Sequence, residues 1–307
     1  VSMLREITMT TNESSRNALQ QEYNKQAVQS CAVDGICASM CPVEIDTGAY
    51  VKSARARTTS PAVRMTASWL ASRMSVVDTV SRTMLASAGF LATMIGRRRL
   101  AIASRRLHNV FPSIPVFYGA SGVPADLGEV DPAQADVVLL PSCGSRWMGH
   151  RHGTSSIHLL QELCRRAGLR LGLMPSSSTM CCGQLFDSKG LAEAAHDVQS
   201  KTLQTVAAKV PITTPIVVDA STCAAAYMLA GSQHVMYDIV GMLRHVLLPR
   251  LTVHRQRQHV VLHPGCGTMK LRQVEDMMAI ARQCAVRVTV PDSASCSDDL
   301  THEPPSC

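Results

Sequence analysis

Two stretches of this chain follow one plan, and that plan limits its fold more than any other feature. Val137-Val-Leu-Leu-Pro-Ser-Cys143 and His259-Val-Val-Leu-His-Pro-Gly-Cys266 both run from a short apolar segment through a proline to a cysteine, 123 residues apart. A continuous apolar run closed by proline reads as a strand buried on both faces. Each is followed by a segment with helical periodicity. Strand, cysteine turn and helix, used twice, predict two α/β units with largely parallel sheets. Inside the first unit, ADVVLLP (135–141), LRLGLMP and PIVVDAS are expected strands. Helices are expected over Ser156 to Ala167, with Ile157, Leu160, Cys164 and Ala167 on one face and Gly168 to end it, and over Tyr237 to Leu248. Another is expected from an N-cap at Ser188, carrying Leu191, Ala195, Val198 and Val206 and stopping before Pro211. The second unit has a predicted helix over 268–283 and a strand VRVTV, and then stops early.

The densest local signal is Cys31-Ala-Val-Asp34-Gly-Ile-Cys37-Ala-Ser-Met-Cys41-Pro42. Bacterial-type [4Fe–4S] loops run C-x2-C-x2-C-x3-C-P, with the last cysteine directed to a neighbouring cluster. Three of the four cysteines and the proline are in place, and Asp34 stands where the second cysteine belongs. A carboxylate can ligate iron, but as a harder ligand it holds that iron less firmly and alters its potential. Three free cysteines in a turn-rich loop would require coincidence in the spacing, and zinc would call for paired C-x2-C elements that are absent. A second constellation joins Cys143, the vicinal pair Cys181-Cys182-Gly183, and Cys223. Cys143 and Cys223 each follow a strand, where open α/β sheets place their sites, and Gly183 permits a turn that aims both vicinal thiols at one centre. That centre reads as a metal or iron–sulfur site, a thiol–disulfide pair, or a group of buried thiols. Cys266 opens the second unit as Cys143 opens the first; Cys164 and Cys284 fall on apolar helix faces and read as core. Cys296 and Cys307 lie in a polar tail and take no role.

Twelve cysteines among 307 residues are too dilute for a small disulfide scaffold. The opening VSMLREITMTTNESS has no apolar signal region, so the thiols are expected to be reduced, metal-bound or redox-active. No apolar run reaches the roughly 18 residues of a membrane helix; the nearest, Met84 to Ile95, is broken by serine and threonine. The net charge of +7 is unevenly placed. Residues 51–110 carry eleven bases, all but Lys52 arginines, against the single acid Asp78. Such a surface could meet phospholipid, an acidic redox partner or another domain. With bases spread over the whole stretch and few aromatics between them, the expectation is helices whose arginines face water, and no nucleic acid partner. Trp69, Leu70, Met74, Val77, Val80, Met84, Phe90, Leu91, Met94 and Ile95 recur there at helical spacing. G-x-G-x-x-G, P-loop, G-x-S-x-G and H-E-x-x-H elements are absent.

CAVDGICASMCPVEIDTG, a helical stretch, PSCGSRWMG, CCGQLFDSKG and VVDASTC, in that order, resemble the C-terminal iron–sulfur half of FAD-linked D-lactate dehydrogenases of the cytochrome or quinone-linked kind. The α/β units also resemble the cysteine-rich CCG modules of heterodisulfide reductases and of the glycolate oxidase iron–sulfur subunit. The resemblance implies a mixed fold: a small α-helical ferredoxin-like segment, then Rossmann-like cysteine-rich modules, the second truncated. The expected divisions are 1–50 for the ferredoxin-like segment, 51–111 for the basic helices and 112–134 for a linker. The first module then covers 135–248 and the partial second 249–307. By position, Cys31, Asp34 and Cys37 would ligate one [4Fe–4S] cluster and Cys41 its neighbour. Cys143, Cys181, Cys182 and Cys223 would be the first module's cysteines, and Cys266 would begin the second. In that family a flavin domain oxidises a 2-hydroxy acid, and electrons leave through the clusters to a cytochrome or quinone. The flavin domain is not in this sequence, so the implied chain is a fragment: FAD belongs to the same parent protein or a separate flavoprotein. It is expected in the cytoplasm, with peripheral contact on the inner face of a membrane left open. The module's usual C-x-x-C is reduced here, with Ala220 in the first position and Cys223 in the second. The rival reading is a non-catalytic binding or structural module with vestigial cysteines or a structural metal.

Overall fold

The computed structural model describes residues 2–41, 43, 45–111, 116–117, 130–148, 155–175 and 177–291. The N-terminal part is helical: α1 (Ser2–Met9), α2 (Glu13–Tyr23) with a π-helical extension (Asn24–Gln29), α3 (Ile36–Met40), α4 (Thr47–Thr58), α5 (Pro61–Ser72), α6 (Met74–Ile95) and α7 (Arg97–Val110). Local chemistry sets several of the starts. The Asn12 side chain accepts from the amides of Ser14 and Ser15 ahead of α2, Asp46 caps α4 through Ala49 N, and Ser60 caps α5 with Pro61 in the first turn.

The first α/β unit is built from β1 (Val137–Leu140), α8 (Cys143–Trp147), α9 (Ser156–Arg166), β2 (Leu171–Leu173), α10 (Gln184–Asp187), α11 (Ala192–Lys209), β3 (Ile216–Val218), α12 (Ser221–Leu229), β4 (Met236–Asp238) and α13 (Ile239–Gly241). Its four strands are parallel in the order β2-β1-β3-β4. Val138 lies against both Gly172 and Ile216, and Val217 against Tyr237. The sheet is covered on both faces, which is why its strands are unbroken apolar runs. Val137, Leu139 and Val217 pack on Ile157, Leu160, Cys164, Met242 and Leu247. Val138, Leu140, Ile216 and Val218 pack on Val206, Ala224 and Tyr227. Strand order reverses between β1 and β3, since β1 leads out to β2 and the chain returns on the other side. Ligands of open α/β sheets bind beyond the strand C-termini at such a reversal.

The second unit is β5 (Arg257–Val261), α14 (Cys266–Lys270), α15 (Val274–Cys284) and β6 (Ala285–Thr289), with β5 and β6 paired in parallel, His259 opposite Arg287. Its strands are largely exposed. The N-terminal helices are docked on the first unit. The Arg55 guanidinium donates to the carbonyls of Val28 and Cys31 and to that of Ser188, across the two parts. A Cβ on Gly190 would lie 2.6 Å from Ala56 N, so this glycine (φ 78°) permits the contact.

Several sequence expectations need correction. Ser188 does not cap α11: Leu191 occupies that position, because the chain first makes α10 and a turn. The segment from Tyr237 begins as strand β4 and only then coils, passing through a π-helical stretch (Met242–Leu247). The helix expected over 268–283 is broken into α14 and α15, with Arg272 at φ 55° in the break. Cys284 is exposed rather than core, while Cys164 is fully buried as expected. The helical spacing read from Trp69 to Ile95 is present as α5 and α6, in which Met74 is buried and Trp69, Val80, Met84, Phe90, Leu91, Met94 and Ile95 are exposed. Most of the expected linker and the tail with Cys296 and Cys307 lie outside the described residues. Among the described residues, no helix is long and apolar enough to cross a membrane.

Candidate functional site

Four cysteines from three loops line one small internal cavity. Cys143 opens α8 after β1, Cys181 and Cys182 end the segment after β2, and Cys223 lies in the first turn of α12 after β3. Leu140, Pro141, Met180, Val218 and Tyr227 complete the walls of a space of ≈ 10 Å³, about that of a single water. The convergence expected from the sequence is therefore present, and it falls at the strand-order reversal. Short bonds tie the loops together. Ser142 N donates to Asp219 Oδ1 at 2.6 Å, joining the β1 and β3 turns. Cys181 N donates to Thr202 Oγ1 at 3.1 Å, and that hydroxyl donates to Val198 O at 2.8 Å. Gln199 Nε2 holds both Cys182 O and Ala226 O. Gly183 turns the chain with φ 82°, and a Cβ there would stand 2.7 Å from Ala195 O. Glycine is needed at this turn on both counts.

Cys182 Sγ and Cys223 Sγ are 3.1 Å apart and both buried. Burial, opposed by Arg146, raises the Cys143 thiol. The Cys181 thiol is raised by its hydrogen bond with Cys182 and then by burial. That same bond lowers Cys182, but its contact with Cys223 and burial prevail, and it is pushed up to about 12. Desolvation raises Tyr227 well above the usual phenol value. These are environments that hold neutral thiols unless a cation takes the proton's place.

Beside the cysteines is a buried cation that the sequence reading did not single out. Arg146 is 7% exposed; its Nε is 3.1 Å from Asp78 Oδ1 and its Nη2 donates to Met180 O. Trp147 Nε1 donates to the same Asp78 oxygen at 2.8 Å. Arg146 Nη1 is buried without a hydrogen-bond partner. The one acid in the basic stretch was the available signal, because a lone buried carboxylate demands a partner.

The Cys31 loop is arranged differently. Asp34 Oδ1 accepts from Ile36 N, Cys31 Sγ accepts from Val33 N, and Cys37 Sγ accepts from Thr47 Oγ1 at 2.9 Å. The Thr47 hydroxyl, with the Gly48 and Thr47 amides at the start of α4, pulls the Cys37 thiol below its ordinary value. Val33 and Gly35 both have positive φ, which folds the loop back on itself. Cys266 is disulfide-bonded and starts α14, which packs on both α3 and α12. Among the described residues, no three His, Cys, Asp or Glu side chains are placed to hold one metal ion as they stand, and this covers Cys143, Cys181, Cys182 and Cys223 as well as Cys31, Asp34, Cys37 and Cys41.

For an iron–sulfur group, the fit is good in donor chemistry and tight in space. Four soft sulfurs line the cavity, and the charge of the buried Arg146 favours the thiolates of Cys143 and Cys181. Cys182 and Cys223 must move apart from their 3.1 Å contact, and the one-water space must open, to admit such a group. No protein-family model, no curated protein and no solved structure matches this chain.

Proposed function

We propose that this chain is the electron-transfer portion of a FAD-linked D-2-hydroxyacid dehydrogenase. The observation that carries the reading is the meeting of Cys143, Cys181, Cys182 and Cys223 at the strand-order reversal, with the unpartnered Nη1 of Arg146 beside them. In this reading the four thiolates hold an iron–sulfur group. When bound, it supplies one-electron transfer between a flavin and a cytochrome or quinone. The chain's own residues do the positioning. Gly183 aims the vicinal cysteines, Thr202 and Gln199 fix the backbone that carries them, and Arg146 offsets their negative charge. Cys31, Cys37 and Cys41, with Asp34, form the ferredoxin-like second location on grounds of spacing. The flavin would come from another part of the parent protein or from a separate flavoprotein, and the setting is the cytoplasm. Anaerobic purification followed by iron and sulfide analysis and an absorbance scan near roughly 400 nm tests this. Iron and sulfide together with the band are expected; their absence after reconstitution would sink the reading.

The Cys182–Cys223 contact supports a second reading, a dithiol centre. Its oxidation would form the Sγ–Sγ bond and pass two protons and two electrons to a low-molecular-weight disulfide, which leaves as two thiols. Thiol counts of the metal-free protein before and after oxidised glutathione test it, and a loss of two thiols is expected. An unchanged count dismisses it.

A further inference from the structure

We infer that the corner between α6 and α7 is a docking surface for an anionic lipid bilayer. The first turns of α6 are anchored, and its last turns carry exposed apolar side chains. Met74 and Val77 pack with Cys181, Ala195 and Val198, and Asp78 is held by Arg146 and Trp147. On the last turns of α6 one side is covered, with Gly89 and Ala92 buried, while on the other Phe90 is 64% exposed, Met94 70% and Leu91 47%. After Gly96 the chain reads Arg97-Arg98-Arg99, all exposed. Arg98, Arg105 and Arg106 share one face of α7 with Ala101, Ile102 and Asn109, and Ile102 is 47% exposed. Guanidinium groups flanking apolar side chains match a phospholipid, with phosphate against the arginines and hydrocarbon against the apolar groups.

Charge decides the kind of bilayer. Residues 61–110 contain eight arginines and one carboxylate, Asp78, which is buried near the N-terminal end of α6. Among the described residues, no carboxylate pairs with Arg97, Arg98, Arg99, Arg105 or Arg106. Exposed methionine, leucine and phenylalanine are costly in water and stabilising at an interface, and the arginines beside them face the anionic headgroups. A partner made only of acidic groups would leave the apolar side chains uncovered, so the lipid surface accounts for both features. The inference is independent of what the cysteines bind.

The test is flotation of the full chain with vesicles of phosphatidylcholine alone and of phosphatidylcholine with phosphatidylglycerol, at low and high salt. Binding to the phosphatidylglycerol vesicles, lost at high salt and weak on the neutral ones, is expected. The R98Q/R105Q/R106Q variant should bind on the order of a hundredfold more weakly, at roughly fivefold per arginine. F90S/M94S should lose binding with its circular dichroism and melting temperature unchanged. Absence of flotation, or equal binding to both vesicle types, overturns the inference. So does capture by polyglutamate in place of vesicles, or a dimer seen by light scattering that F90S/M94S dissolves while the wild-type chain ignores lipid. Because the salt and lipid dependence of the wild-type chain is read directly, the test decides even where a variant misfolds.

Discussion

Cys37 receives hydrogen bonds from one helix start, and they move its thiol in the opposite direction from Cys143, Cys164, Cys181 and Cys182. The Thr47 hydroxyl and the Gly48 and Thr47 amides favour its thiolate, whereas burial holds Cys164 up at about 11. Thiolate is the nucleophile. Timed alkylation with iodoacetamide, read by mass spectrometry, should therefore label Cys37 ahead of those four, and Thr47→Ala should slow it. The reverse order would mean that the Thr47 contact does not form. Asp78 makes a second prediction at this scale. It is buried between Arg146 and Trp147, while Arg82, half exposed, approaches it only to 3.8 Å. Asp78→Ala leaves a buried guanidinium uncompensated and should cost about 3–5 kcal/mol. Arg82→Gln should stay within about 0.5 kcal/mol. Chemical denaturation of the two variants checks the contrast. Cys31, Cys143, Cys181, Cys182 and Cys223 could be singled out from the sequence because cysteine at fixed spacing is chemically rare. Arg146 could not: the lone acid Asp78 signals that some partner exists, but which arginine faces it is seen only in the fold.

Among the elements, the central strands were the most legible, because a strand buried on both faces must be written as an unbroken apolar run. Leu139 and Leu140 are such residues, and Leu139→Ala should cost about 2–5 kcal/mol. Val261→Ala, on an exposed position of β5, should cost far less; denaturation midpoints decide it. β4 escaped notice because only three residues pair, and Tyr237 and the residues after it carry helical spacing that overrode the strand signal. The break between α14 and α15 depends on Arg272 at positive φ, a conformation no arginine announces. The apolar spacing of α6 correctly marked a helix, but periodicity shows that a face exists, not what covers it. Helix α9 makes a pH prediction. Its Glu162 accepts from Arg165 and Arg166, which hold the carboxyl down at about 2, below its ordinary value of 4.5. The folded-state value is depressed, so the contribution is present above the ordinary value and lost as pH falls toward about 2. The melting-temperature difference between the wild type and Glu162→Gln should accordingly be largest at neutral pH and vanish near pH 2. A difference that persists in acid would contradict the assignment.

At the scale of the molecule, stability is unevenly distributed. The four-stranded sheet is sealed on both faces, whereas β5 and β6 form an exposed pair, and two-stranded sheets are marginal by themselves. Native-state hydrogen exchange should be slowest in β1 and β3 and faster by orders of magnitude in β5 and β6. Uniform protection would refute this ordering. The division of the sequence into a helical N-terminal part and α/β units was readable from the change of period near residue 135. Their docking was not, since it rests on a core of Ala67, Ala71 and Met74 against Phe186, Ala194 and Val198, which residues far apart in sequence make together.

The Arg55 fork gives the border between these parts an unexpected character. One guanidinium grips Cys31 O and Val28 O on one side and Ser188 O on the other, six residues beyond Cys182. A chain nicked between residues 112 and 134 should therefore behave as a complementing pair whose pieces co-purify. The two cysteine neighbourhoods are clamped together by side chains from both sides of the cut, and continuity of the backbone is the lesser part of what joins them.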